Sequence, residues 1–150
     1  MTGKPANEYP TILIVEDDDG HATLIQGHIE KAGVIGTTIR FRDGQEAWNF
    51  LAQIGPGPHR RTGAAYLMLL DIRMPRMDGV TLLKKLKSDA ELMKMPVIML
   101  TTTDDPREVE ECYRIGCNWY IAKSLTFDGF AEALRRLGLF IQVVLVSPIE

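Results

Sequence analysis

A chain of 150 residues has the length of one domain, a size that buries roughly two thirds of its unfolded surface without disulfides or metals. The formal net charge of -3 gives no electrostatic reason to expect nucleic acid or an anionic membrane as a partner. The chain has 2 cysteines, no signal-peptide core and no apolar run of the roughly 20 residues that cross a bilayer, which favours a reducing, cytoplasmic compartment.

Five short apolar segments predict five strands. In chain order they are 11–15, 36–41, 65–70, 97–100 and 119–121. The first, third and fourth are continuously apolar, which is typical of strands that helices cover on both faces of a parallel sheet. A loop rich in glycine and proline, 55–63, precedes the third strand and is predicted to lie on the surface.

Segments with the period of a helix follow each predicted strand. Their apolar positions are Leu24, Ile25, Ile29 and Ala32; Ala47, Phe50, Leu51 and Ile54; Leu82, Leu83 and Leu86; Val109, Cys112 and Tyr113; and, in a helix that starts at Thr126, Phe130, Leu134 and Leu137. This repeated alternation predicts right-handed crossovers and a doubly wound α/β sheet with helices on both faces. In such sheets, ligands bind beyond the carboxyl ends of the strands.

Charged and hydroxyl side chains follow four of the predicted strands. They are Glu16, Asp17, Asp18 and Asp19 after the first strand, Asp71 after the third, Thr101, Thr102 and Thr103 after the fourth, and Lys123 after the fifth. Carboxylates that converge raise one another's pKa unless a cation is present, and Mg²⁺ with oxygen ligands relieves that repulsion. Lys123 and Thr101 are suited to bind a phosphoryl group at the same edge.

Each of these residues also has an ordinary explanation when it is taken alone. Asp18 or Asp19 would cap the helix that follows, and a single threonine or lysine after a strand is most often a loop residue. Their joint placement at four strand ends favours a functional site.

The same residues stand in four motifs: ILIVEDD at 12–18, LMLLDIRMPRMDG at 67–79, PVIMLTT at 96–102 and WYIAK at 119–123. Together these motifs resemble the receiver domain of two-component response regulators, and the resemblance extends from residue 10 to about residue 137. It implies a flavodoxin-like (βα)5 fold with five parallel strands in the order 2-1-3-4-5. The expected organisation is an N-terminal segment over 1–10, a receiver domain over 11–137 and a C-terminal extension over 138–150.

The resemblance also implies roles for individual residues. Asp71 matches the phosphoacceptor, and the Mg²⁺ ligands are matched by Glu16, Asp17, Asp71 and the backbone carbonyl of Arg73. The residues that bind the phosphoryl group and switch the surface are matched by Thr101, Thr102, Lys123 and Tyr120. The implied function is that of a single-domain response regulator of a phosphorelay, which accepts a phosphoryl group from a sensor histidine kinase.

Ser124 is a departure from the family pattern, because proline usually follows the active-site lysine. A cis peptide bond costs about 2.5 to 4 kcal/mol before a residue other than proline, against about 0.5 to 1 kcal/mol before proline. The sequence therefore favours a remodelled loop after Lys123 over a retained cis bond.

Two other functional classes match parts of the sequence. A phosphatase similar to haloacid dehalogenases would have a second aspartate two residues after Asp71, where this chain has Arg73, so an enzyme is disfavoured. A pseudo-receiver that binds partners without phosphorylation is favoured by Ser124. It is disfavoured by the complete set of Glu16, Asp17, Asp71, Thr101 and Lys123.

The C-terminal extension is apolar nearly all round, whereas a helix on one side of a sheet needs only an apolar stripe. We expect a homodimer in which an extended fifth helix, or a strand over 142–146, packs on or exchanges with a second chain. The predicted interface residues are Leu137, Phe140, Ile141 and Val144. The alternative is a tail that folds back onto its own domain.

No output domain is expected after the fifth helix, so the readout would be another protein. The extension, Phe127, Phe130 and the loop 55–63 also resemble the regulators that are paired with bacterial phytochrome kinases. A bacteriophytochrome is therefore a candidate for the kinase.

Overall fold

The computed structural model describes residues 9–34, 36–102, 105–123, 127–143 and 146–150. Within them, five strands form one parallel sheet in the order β2-β1-β3-β4-β5, as predicted. The strands are β1 Thr11–Val15, β2 Thr38–Phe41, β3 Tyr66–Leu70, β4 Val97–Thr101 and β5 Trp119–Ala122. The helices are α1 Asp19–Lys31, α2 Gly44–Ala52, α3 Gly79–Lys87, α4 Pro106–Ile115 and α5 Phe127–Val143, with a short 3-10 helix at Leu92–Lys94. The flavodoxin-like fold is confirmed.

The register of the central strands brings their carboxyl ends to one edge of the sheet. Val15 at the end of β1 lies opposite Leu70 at the end of β3, and Leu70 lies opposite Met99 of β4. Helices cover both faces of these strands, which explains why they are apolar throughout. Glu16 and Asp71 consequently leave the sheet side by side.

An aspartate begins each of the first four helices. Asp18, Asp43, Asp78 and Asp105 accept a hydrogen bond from the backbone N–H of His21, Glu46, Thr81 and Arg107, respectively. Such a cap contributes about 1 kcal/mol to helix stability. Of the two predicted capping residues before α1, Asp18 has this role.

The core consists of two apolar layers, one on each face of the sheet. On one face α2, α3 and α4 pack on the strands, and on the other α1 and α5 do so. The two helices of the second face approach closely at Gly138, where a Cβ atom would lie 2.4 Å from the Cβ of Ala32. Among the described helices, none is both long enough and apolar enough to cross a membrane.

Two residues of the predicted helical stripes are exposed. Ile54 is 49% exposed because α2 ends at Ala52, where Gln53 adopts a left-handed conformation with φ 60°. Tyr113 is exposed on α4, and its hydroxyl accepts a hydrogen bond from the backbone N–H of Tyr120 at 3.0 Å. Thr126, the predicted start of the fifth helix, lies outside the described residues.

Helix α5 extends to Val143, which agrees with one of the two predicted interface elements, but two of the predicted interface residues face the chain's own core. Leu137 and Ile141 are buried in the chain's own core, so in this arrangement they are not available to a second chain. Gln142 and Val143 are helical, which agrees with the extended helix and not with the alternative of a strand over 142–146, and Val144 lies outside the described residues. Helical periodicity explains the burial, because Leu134, Leu137 and Ile141 repeat on one face.

The last residues fold back onto the chain's own sheet. Ile149 forms an antiparallel bridge with Ala64: its N–H donates to the Ala64 carbonyl at 3.0 Å, and its carbonyl accepts from the N–H of Gly63 at 2.7 Å. Arg60 links the loop 55–63 to both sides, since its Nη1 donates to the Glu150 carbonyl at 2.5 Å and its Nε to the Leu51 carbonyl at 2.7 Å. The end of the chain and this loop therefore hold each other in place.

Replacing Ile149 with alanine tests this docking. The Ile149 side chain is 0% exposed in the core beside α2 and α3, so Ile149→Ala should lower the free energy of unfolding by about 2 to 4 kcal/mol. Urea denaturation measures this change. The same substitution at the half-exposed Ile54 serves as the control and should cost less than about 1 kcal/mol. Equal effects of the two substitutions would show that the end of the chain is not docked.

Candidate functional site

Three carboxylates meet at the carboxyl edge of the sheet. One oxygen from each of Glu16, Asp17 and Asp71 lies within 4.8 Å of the other two. Glu16 and Asp71 are buried, whereas Asp17 is exposed to solvent. Carboxylates at this separation repel one another, and oxygen ligands suit a small divalent cation. These residues therefore fit a divalent cation with one side open to water.

Lys123, which follows β5, places an ammonium group among these carboxylates. Its Nζ forms an ion pair with Glu16 and lies 3.7 Å from Oδ2 of Asp71. Its backbone N–H donates to the carbonyl of Thr101 at 2.6 Å, which ties it to the end of β4. Because the lysine side chain is buried, its charge is poorly screened by water and acts strongly on both carboxylates.

Glu16 titrates unusually for a glutamate. The pKa of its carboxyl group is raised to about 7, chiefly by burial and in smaller part by the nearby Asp71 charge, although the hydrogen bond from Lys123 lowers it. A divalent cation favours the ionised form of a carboxyl group and would lower this pKa. The acidic cluster and a cation are therefore electrostatically matched.

The loop after β3 holds Asp71 in place. Oδ1 of Asp71 accepts a hydrogen bond from the N–H of Ile72 at 2.8 Å, and the Asp71 N–H donates to the Val15 carbonyl at 3.1 Å. The loop then returns so that the N–H of Gly79 donates to the Ile72 carbonyl at 2.7 Å. A Cβ atom at Gly79 would lie 2.1 Å from the Asp71 carbonyl oxygen, so this close return requires glycine.

The start of α2 supports the same loop from the other side. Oδ2 of the buried Asp43 lies 3.3 Å from Nε of Arg76, which adopts a left-handed conformation with φ 68°. The N–H of Gly44 donates to the Met77 carbonyl at 3.2 Å, and a Cβ atom at Gly44 would lie 2.3 Å from that oxygen. The Asp43-Gly44 pair, a turn signal in the sequence, was not predicted to belong to the site.

Thr101 presents a buried hydroxyl group at the end of β4. The residue is 0% exposed, and its Oγ1 has no hydrogen-bond partner among the described residues. A buried hydroxyl without a partner costs about 1 to 3 kcal/mol, so this oxygen is suited to acquire an acceptor. Thr102 is exposed, and Thr103 lies outside the described residues.

Tyr120 lies on the strand that precedes Lys123, and Arg73 lies two residues after Asp71. Tyr120 is half-buried on β5 and pairs with Met99 of β4. The Arg73 side chain is exposed and lies 3.8 Å from Glu108 of α4, while its backbone carbonyl stays a predicted metal ligand. Ser124 lies outside the described residues, so the prediction of a remodelled loop stays a prediction.

His21 also lies at the site, and none of the sequence motifs predicted this. Its Nδ1 lies 3.2 Å from Nζ of Lys123 and 3.9 Å from Oε1 of Glu16, and its ring packs edge-on against Phe130 at 5.8 Å. The available signal was its position in the first turn of α1, close after the acidic residues Glu16, Asp17 and Asp18 between β1 and α1. An aromatic nitrogen there contacts the lysine that faces Asp71.

Comparison with known proteins decides the family. The sequence model of the family described as response regulator receiver domain matches residues 12–135. The chain belongs to this family. Members are generally phosphoacceptor regulators and not enzymes, and receiver domains bind a divalent metal.

One relative of this chain is similar to it in both sequence and structure. Response regulator Rcp1 of Synechocystis sp. is 32% identical over 135 residues, which are 90% of this chain and 90% of Rcp1. The structure of the Mn²⁺-bound form of Rcp1 has a TM-score of 0.81 at 28% identity and covers 93% of this chain and 99% of that one.

Two further structures belong to the same comparison. A response regulator receiver domain from Rhodospirillum rubrum has a TM-score of 0.84 at 41% identity, and the match covers 93% of this chain and 99% of the Rhodospirillum rubrum chain. The phosphorylated cyanobacterial phytochrome response regulator RcpA has a TM-score of 0.79 at 27% identity, and the match covers 92% of this chain and 98% of the RcpA chain.

Proposed function

We propose that this receiver accepts a phosphoryl group on Asp71 from a sensor histidine kinase and that Mg²⁺ is required. The observation that carries this proposal is the convergence of Glu16, Asp17 and Asp71 within 4.8 Å, with Lys123 3.7 Å from Asp71. Glu16, Asp17, Asp71 and the backbone carbonyl of Arg73 would hold the ion. Bound Mg²⁺ neutralises negative charge on the transferring group.

The chain's own residues perform the remaining chemistry. A carboxylate oxygen of Asp71 attacks the phosphorus of a phosphohistidine, a P–O bond forms, and the P–N bond breaks so that the imidazole leaves with its electron pair. Lys123 stabilises the charge of the transferred group, and the Thr101 hydroxyl donates a hydrogen bond to one of its oxygens. Such a transfer needs positioning and charge more than any further covalent step.

Phosphorylation would change the surface around α4 and β5. The new group adds about two negative charges and draws Thr101 and Lys123 towards it. Because the Lys123 N–H donates to the Thr101 carbonyl, a shift of either residue bears on both strand ends. Tyr120 on β5 is the predicted residue that responds, and the reader of the altered surface would be another protein.

We further propose that the kinase partner is a bacteriophytochrome. The support is the similarity to RcpA, which is described as a cyanobacterial phytochrome response regulator, at a TM-score of 0.79. The similarity to Rcp1 over 90% of both chains points in the same direction.

Phosphorylation by a small phosphodonor tests the proposed role of Asp71. With acetyl phosphate and Mg²⁺, mass spectrometry should detect one added phosphoryl group on the unchanged chain and none on Asp71→Asn. Asp78→Asn is the matched control, because asparagine also caps α3 and the carboxylate of Asp78 is exposed. It should gain the group as the unchanged chain does.

The other outcomes distinguish the competing classes. Release of phosphate over many turnovers would identify an enzyme. No gain in any variant would identify a pseudo-receiver, and a gain that persists in Asp71→Asn would remove Asp71 as the acceptor.

We also propose a homodimer, now through the exposed apolar face of α5. Leu139, Phe140 and Val143 are exposed on this face, and Val143 is 74% exposed. The Phe140 ring packs edge-on against Trp119 of β5 at 5.4 Å, which extends the apolar face onto the sheet edge. Exposed apolar patches of this kind favour association with a second protein surface.

Sedimentation analysis tests the dimer. The unchanged chain should sediment as a dimer and Val143→Asp as a monomer, because the new charge would be buried in the interface without a partner. Met93→Asp, at another exposed apolar position, is the control and should leave the dimer intact. A monomer for the unchanged chain, or equal effects of both substitutions, would contradict the proposed interface.

A further inference from the structure

One side chain of the neighbouring strand β2 forms hydrogen bonds at both ends of the acidic loop, residues 16–18 between β1 and α1. Glu16 and Asp17 belong to the short connection between β1 and α1, and Arg40 lies on β2 opposite Ile14. Nε and Nη2 of Arg40 donate to the Glu16 carbonyl oxygen at 2.9 and 2.7 Å. Its Nη1 donates to Oδ1 of Asp19, the first residue of α1, at 2.8 Å.

The guanidinium group therefore bridges the loop that presents Asp17. A planar guanidinium directs its N–H groups in a fixed fork, so one ordered side chain defines the distance between the end of β1 and the start of α1. The Arg40 side chain is 17% exposed, which limits its freedom to leave this position. Arginine also keeps its charge throughout the physiological pH range.

Arg42 offers a comparison within the same structure. Its Nη1 donates to the same Oδ1 of Asp19 at 2.8 Å, but its side chain is 63% exposed. The hydrogen bond from Arg40 and the charge of Arg42 hold the pKa of Asp19 below its usual range. Both arginines thus share the bond to α1, whereas Arg40 also holds the Glu16 carbonyl.

We propose that Arg40 is a positioning residue for the cation site, acting through the Glu16–Asp18 loop. The proposal rests on the proposed function, in which Asp17 is a Mg²⁺ ligand. Residues that orient metal ligands without touching the metal commonly change the affinity 10- to 100-fold when they are replaced. The loop is short, so a displaced Glu16 carbonyl moves Asp17 with it.

The positive charge of Arg40 opposes the gain in Mg²⁺ affinity that positioning of Asp17 would give. A cation beside the site repels Mg²⁺, so loss of charge alone would tighten metal binding, whereas loss of positioning would weaken it. The two roles consequently predict opposite changes in affinity. Lysine in place of Arg40 separates them further, because it keeps the charge but is a point donor without the fork.

Calorimetric titration with Mg²⁺ of the full chain and three variants tests the proposal. Arg40→Met and Arg40→Lys should both bind Mg²⁺ about 10-fold more weakly than the unchanged chain. Arg42→Met should bind Mg²⁺ no more weakly than the unchanged chain, because it removes an exposed, solvent-screened charge and the bond to Asp19 but leaves the bonds to the Glu16 carbonyl. Binding to Arg40→Met that is unchanged or tighter, or full affinity in Arg40→Lys, would overturn the proposal.

Amide hydrogen exchange without Mg²⁺ provides a second readout that is independent of the metal. Exchange at residues 16–20 should be faster in Arg40→Met and Arg40→Lys than in Arg42→Met. Equal exchange rates in all variants would show that the hydrogen bonds of Arg40 do not order the acidic loop. If the unchanged chain does not bind Mg²⁺ while exchange responds to Arg40, the proposed metal function and the positioning role for it both fail, and only the loop contact stands.

Discussion

Mutual repulsion between carboxylates is the constraint on which the rest of the structure depends. Glu16, Asp17 and Asp71 lie within 4.8 Å of one another, and two of the three are buried. Such a group costs stability unless positive charge compensates it. Lys123 supplies part of that charge, and a divalent ion held by these carboxylate oxygens would supply the rest. A phosphorylated Asp71 would bring still more negative charge to the same place.

The fold holds these groups together by close backbone contacts. Parallel register brings the ends of β1 and β3 side by side, and the return of the chain at Gly79 fixes the backbone of Asp71. The start of α2 braces the same loop through Gly44, and Arg40 braces the acidic loop from β2. Each contact reaches the charged groups through the main chain, so their positions are set before any ligand arrives.

The fold and the main charged residues follow from the sequence because each leaves a local signal. Apolar runs alternate with helical periods, and right-handed crossovers then determine where the strand ends meet. Asp71 and Lys123 could be placed at one edge by this rule without any knowledge of side-chain geometry. The motif around Asp71 added the family, which the match over residues 12–135 confirms.

The remaining features depend on contacts between distant parts of the chain. Arg40 is 24 residues from Glu16, and nothing in the alternation of β2 marks it as a partner of the acidic loop. His21 could not be predicted for the same reason, since its contact with Lys123 exists only in the folded chain. The apolar C-terminal segment did not reveal which face is buried. The helix places Leu137 and Ile141 inside, and the close crossing at Gly138 permits this.

Paramagnetic broadening by Mn²⁺ is the most direct test that these distant residues form one cation site. In a titration followed by amide NMR, the signals of residues 16–18 and 71–73 should broaden first, because broadening falls steeply with distance from the ion. Gly63 and Ile149, whose backbones pair at the amino-terminal edge of the sheet, should stay sharp. Broadening centred on the acidic residues of α4, or spread evenly over the chain, would contradict the account.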